Sequence, residues 1–151
     1  MDNANPLIFE KTKNRIFTKE EMYEDFYDKF DNREIYDMIR NIKDPEHPLT
    51  LEQLNVVDEE NVFVDDQNNI VEVHFTPTIN HCSAATLIGL SIIVKLMRCL
   101  PERFKTTVKV SKGSHDTEDA INKQLNDKER VSAAIENPNL LQAINRCLIE
   151  E

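Results

Sequence analysis

At 151 residues, the chain is long enough for one domain with a real core and short for two. Hydrophobic side chains make up 40% and charged ones 30%, and 28 acids against 18 bases leave a net charge of -10. That balance excludes a general phosphate-backbone binder, which needs a basic face, and no direct contact with nucleic acid is expected. With only Gly89 and Gly113 present, neither G-x-G-x-x-G nor G-x-x-x-x-G-K-[ST] can be written, so Gly-rich phosphate loops are excluded.

The charge is unevenly spread. Residues 1–75 hold 19 acids and 8 bases, and residues 76–151 hold 9 acids and 10 bases. No stretch reaches the roughly 18 apolar residues of a membrane span, and no targeting segment is expected in the opening MDNANPLIFEKTKN. Three cysteines, Cys82, Cys99 and Cys147, stand at wide spacings. They suggest neither a disulfide framework nor a metal knuckle, and point to a reducing compartment, cytosol or nucleus.

Residues 1–30 read as an acidic N-terminal segment of poor periodicity, with isolated aromatics and one apolar cluster, Pro6 to Phe9. It is expected to be unstructured, or to dock as a linear segment on a partner or on the domain's own surface. The domain proper is read as residues 31–151. Ile35, Met38, Ile39 and Ile42 fall at i, i+3, i+4, i+7 and predict a helix over 31–43, with Asp31 as N-cap and Glu34 completing a capping pair. Asp44-Pro45-Glu46-His47-Pro48 ends it. Thr50 opens a short second turn that buries Leu51 and Leu54, and 54–57 suggests a short strand.

Val62–Val64 and Ile70–Phe75 flank a polar turn and predict a hairpin. In the second strand Val71, Val73 and Phe75 share one face, and Ile70, Glu72 and His74 the other. A loop over 76–83 leads into a helix from Ala84 to Leu100. Its apolar residues, Met97 among them, cover nearly every side, as in a helix at the centre of a domain. Phe104–Val110 alternates as a half-buried strand. Residues 117–136 read as one helix, and Asn137-Pro138 caps a last helix that buries Leu140, Leu141, Ile144, Cys147 and Leu148. The expected class is α+β in the order α-β-β-β-α-β-α-α, a single small domain with a mixed sheet packed on helices.

Cys82 is the residue with chemistry in prospect. It lies where a loop enters a buried helix, where free N–H groups and the helix dipole favour a thiolate, and His81 is beside it. The supporting loop is Thr76, Pro77, Thr78, His81 and Ser83. Cys99 and Cys147 are read as structural residues on apolar helical faces. A mixed metal site of Cys82, His81, His74 and His115 lacks any recognised ligand spacing. His74 reads equally as a solvent-face strand residue beside Glu72, and His115 as a turn residue beside a helix cap. No nucleophile–base pair is fixed by the spacing. The polar run Asn122, Lys123, Gln124, Asp127, Lys128, Glu129, Arg130 reads as a solvated face, with Asn126 and Arg130 spaced to pair, or as a surface that a partner reads.

Long motifs then match in order: Phe75-Thr-Pro-Thr-Ile-Asn-His-Cys-Ser-Ala-Ala-Thr-Leu-Ile-Gly-Leu90, Leu100-Pro-Glu-Arg-Phe-Lys105, Gly113-Ser-His115, and Asn122 through Asn137. They resemble the MIP18 family, built on the DUF59 domain, and Asp44 through Val57 with Asn3 through Ile8 is similar to its B-type branch of cytosolic iron–sulfur assembly components. Asn80 stands where relatives are expected to carry Pro, and Ala84 where Met is frequent. The resemblance implies a non-enzymatic targeting or adaptor subunit. It implies partners in a WD-repeat propeller subunit and a HEAT-repeat scaffold, and delivery of clusters to apo-proteins such as DNA helicases, polymerases and primases. It further implies a link to chromosome segregation and a cytoplasmic and nuclear, spindle-associated location. The family's reactive cysteine falls on Cys82, as a transient cluster contact, a redox contact or an interface residue. No stably bound cofactor is expected, since one cysteine cannot supply the four or so ligands of a cluster; any iron–sulfur cluster would be transient or shared. A homodimer is expected. A cysteine- or metal-dependent enzyme using Cys82, and a plain interaction module, remain the other two classes.

Overall fold

The computed structural model describes residues 29–78 and 82–149. The first helix, α1 (Asn32–Ile39), starts where Asp31 accepts a hydrogen bond from the Glu34 backbone N–H at 2.9 Å. It buries Ile35, Tyr36 and Ile39 and ends short of the expected Lys43, at Arg40. Ile42 is still buried, but in the turn that follows.

The segment over 50–57 is a set of turns and not the short strand expected over 54–57. Asn55 adopts φ +56°, and the N–H groups of Leu54, Asn55 and Val56 bond back to Thr50, Glu52 and Leu51. A left-handed residue interrupts the extended backbone a strand needs, and Asn tolerates that conformation well. Leu54, Val56 and Val57 are all buried, so burial without alternation produced the strand-like pattern. Thr50 caps as expected, its Oγ1 accepting from the Gln53 N–H while Gln53 Oε1 accepts from the Thr50 N–H, around a single turn.

Three strands follow: β1 (Val62–Asp65), β2 (Ile70–Phe75) and, after a long crossover, β3 (Lys105–Val110). The hairpin pairs antiparallel with Val62 opposite Val73, while β3 lies parallel to β2 with Val108 opposite Val73. A parallel neighbour requires a crossover element, which is α2 (Cys82–Cys99). Val62, Val71, Val73, Phe75, Val108 and Val110 line the inner face, each at most 3% exposed.

The helix α2 packs against β3, α1, α3 (Glu118–Asn126) and α5 (Pro138–Leu148). Neighbours on several sides are what an all-round apolar helix demands, and Ala85, Ile88, Leu90, Ile92, Ile93, Val94 and Leu96 are buried. Its last turn escapes the core: Met97 is 62% exposed, and Arg98 and Cys99 are exposed too. At Gly89 the backbone comes so close to α3 that an added Cβ would lie 2.5 Å from Leu125 Cδ1.

The expected helix over 117–136 is two, α3 and α4 (Lys128–Glu136), broken at Asp127. Asp127 takes an extended backbone and its carboxylate accepts from the N–H groups of Glu129 and Arg130. A side-chain acceptor two and three residues ahead of free N–H groups starts a new helix at little cost. Asn137 caps α5 with Pro138 in its first turn, as read from the sequence. Ile144 and Cys147 are fully buried in it, and Leu140, Leu141 and Leu148 partly. The class is α+β with a mixed sheet packed on helices.

Candidate functional site

The parallel strands β2 and β3 end side by side, and the loop to α2 leaves from that end. Ser111 N–H donates to Phe75 O at 2.8 Å, Thr76 N–H donates to Val56 O at 2.8 Å, and Thr76 Oγ1 donates to Ser111 Oγ at 3.1 Å. The loop thus begins pinned to the segment after β3 and to the turn before β1. Pro77 and Thr78 are half-buried, and Thr78 Oγ1 is fully buried with no hydrogen-bond partner among the described residues. His81 lies outside the described residues, and Ser83 is exposed.

Cys82 is the first residue of α2, two residues earlier than the expected start at Ala84. No acid lies in the first turn of α2, so no carboxylate opposes the positive end of the helix dipole there.

The other two cysteines are far from it in position or access. Cys99 closes α2, 17 residues on, about 26 Å away at 1.5 Å per residue. It is exposed and not buried as the sequence suggested, because the last turn of α2 runs past the sheet. Cys147 is 4% exposed and structural, as expected. Burial pushes its thiol pKa up from 9.0; a hydrogen bond with Ser91 opposes that and the Asp44 charge adds to it.

His74 lies on the outer sheet face with Nε2 2.9 Å from Glu72 Oε2 and its ring tilted on Phe63 at 5.2 Å. His115 is a buried turn residue whose Nδ1 accepts from the Thr117 N–H at 3.0 Å. Among the described residues no three His, Cys, Asp or Glu side chains converge on a point that could hold a metal ion.

The polar run is split between two uses. Asn122 Oδ1 accepts from Val110 N–H at 2.7 Å, tying α3 to the end of β3, and Asp127 caps α4. Asn126 bonds the Asn122 carbonyl, and Arg130 pairs with Asp127 at 3.6 Å, so the spaced Asn126–Arg130 pair does not form. Lys123, Gln124, Lys128, Glu129 and Arg130 are exposed.

One cleft escaped the sequence reading. About 390 Å³ in volume, it lies between the 43–48 loop and α5, lined by Asp44, His47, Leu87, Arg146 and Cys147 among others. Asp44 Oδ1 accepts from the N–H groups of Glu46 and His47 at 2.8 and 3.1 Å. Its signal was the Asp-Pro-Glu-His-Pro run, read only as a helix stop.

The described residues form a small α+β domain whose crossover helix opens on a cysteine. The chain matches the family described as iron–sulfur cluster assembly protein over residues 32–110, from α1 through β3. It is 56% identical over 148 residues to the MIP18 family protein galla-2 of Drosophila melanogaster, covering 98% of this chain and 95% of the fly protein. It is 57% identical over 148 residues to cytosolic iron-sulfur assembly component 2B of Mus musculus, covering 98% and 91%, and 55% identical over 150 residues to protein AE7 of Arabidopsis thaliana, covering 99% and 96%. The chain belongs to the MIP18 family of iron–sulfur cluster assembly proteins.

Proposed function

We propose that this protein is a targeting subunit of cytosolic iron–sulfur protein assembly. It hands clusters to apo-proteins, DNA helicases among them, without turning over a substrate of its own. Mouse and Dictyostelium relatives carry the name cytosolic iron-sulfur assembly component 2B. No helix among the described residues is long and apolar enough to cross a membrane, in keeping with work in the cytoplasm and nucleus.

The observation that carries the reading is the position of Cys82 at the start of α2, beyond the paired ends of β2 and β3. A cluster needs about four ligands. The three cysteines of one chain cannot combine, since Cys99 ends the same helix and Cys147 is buried. The cluster is therefore cargo, touched by Cys82 together with groups from other subunits: a second copy of this chain across a two-fold axis, a WD-repeat propeller and a HEAT-repeat scaffold. The exposed side chains of Lys123, Gln124, Lys128, Glu129 and Arg130 supply a recognition surface for one of them.

The test compares wild type with Cys82→Ala by thermal melting, pull-down of partners, and iron content of client proteins. The expected result is unchanged melting and complex formation with iron-poor clients. Clients that fill normally with a variant that folds and assembles would remove Cys82 from the mechanism.

A further inference from the structure

A second groove, of about 540 Å³, runs between the end of α2, the start of β3 and the α3–α4 junction. Its floor is apolar, with Met97, Phe104, Leu125 and Val131, and Met97 is 62% exposed. Its walls carry Arg103, Lys105 and Lys128 against one acid, Glu102. A surface that is apolar below and cationic at the rim fits an acidic segment rich in aromatics.

The chain itself supplies one. The described residues begin beside this groove: the Phe30 ring packs edge-on against Phe104 at 5.3 Å, and the Phe30 N–H donates to Asp66 Oδ1 at 3.1 Å. Arg103 reaches the same carboxylate oxygen at 2.9 Å and lies over the Phe104 ring at 4.1 Å. Immediately upstream runs Glu20-Glu-Met-Tyr-Glu-Asp-Phe-Tyr-Asp28, with acids at 20, 21, 24, 25 and 28 and no base. Three aromatics, Tyr23, Phe26 and Tyr27, are interspersed with those acids. Phe26 and Tyr27 lie three and four residues from Phe30, so the tether holds them within about 10–14 Å of it, at high effective concentration for the groove.

We infer that the segment Glu20–Asp28 docks in this groove, its aromatics on Met97, Phe104 and Val131 and its acids against Lys105 and Lys128. The groove is then a covered surface, which the chain's own N-terminal segment occupies in competition with any acidic-aromatic partner peptide.

Peroxide oxidation of Met97 in the full-length protein, followed by peptide mass spectrometry, tests this, with half-buried Met38 as internal reference. Docking predicts that Met97 oxidises about tenfold faster in the triple variant Tyr23→Ser/Phe26→Ser/Tyr27→Ser, a factor that corresponds to ~1.4 kcal/mol of lost docking. Lys128→Glu should also quicken it at low salt, and neither wild-type rate nor variant rate should change on tenfold dilution. Equal rates in wild type and triple variant overturn the docking. Shielding that weakens on dilution overturns it too, and gives the groove to a second copy of the chain.

Discussion

The clearest energetic test of the fold is the buried ion pair under α1. Arg40 Nη2 lies 2.9 Å from Glu52 Oε2, which also accepts from Tyr36 Oη at 2.9 Å, and the two charged side chains are 7% and 3% exposed. At that separation and an effective dielectric of about 20 the gross attraction is ~6 kcal/mol. Desolvation of both ions consumes much of it, so the pair itself adds little net stability. Removing one partner is different: Arg40→Met takes the guanidinium away from the buried Glu52 carboxylate and from Asp37, which it meets at 3.0 Å, and should cost about 3 kcal/mol, the lower end of the range for broken buried pairs because the Tyr36 hydroxyl still donates to Glu52. Arg40→Met/Glu52→Gln, which removes both charges and keeps an acceptor for Tyr36, should recover about 2 kcal/mol of that. Urea unfolding reads both, with the midpoint of Arg40→Met falling by 1–2 M at a slope of roughly 1.5–3 kcal/mol/M. A single-variant cost below about 1 kcal/mol, or strict additivity in the cycle, would refute the reasoning.

Four further outcomes follow from the packing. Cys99 should alkylate at once in the native protein and Cys147 only on unfolding, as checked by mass spectrometry of digested, labelled protein. Because the Cys147 pKa is raised in the folded state, its contribution to stability is whole below about pH 9 and is lost as pH climbs through the folded value, so wild type should lose stability above pH 9 more steeply than Cys147→Val. Gly89→Ala should destabilise by about 1 kcal/mol, since crowding of Leu125 at 2.5 Å outweighs the gain of about 1 kcal/mol in helix propensity; in a Leu125→Ala background it should turn neutral or stabilising. Asp127→Ala should cost about 1 kcal/mol through loss of the α4 cap, and Asp127→Ser should restore most of it.

Local chemistry alone determined much of this protein. The Asp31 and Asn137 caps, the β1–β2 hairpin, the two faces of β2 and the placement of Cys82 at a helix start are all written in residues a few positions apart. The motifs from Phe75 to Leu90 and from Asn122 to Asn137 were long enough to mark the family. Tertiary structure decided what depends on distant neighbours. Periodicity reports which residues are apolar, not how far a helix extends past the sheet it packs on, so Met97 and Cys99 looked buried and are not. The run over 54–57 is apolar because it fills the core, yet Asn55 in a left-handed turn keeps it from being a strand. The break at Asp127 and the bond from Val110 to Asn122 turn a seemingly continuous polar helix face into a cap and an anchor. The cleft at Asp44 and the groove at Phe104 exist only because segments separated by tens of residues meet there, and no spacing within the sequence encodes the distance between surfaces that the core brings together.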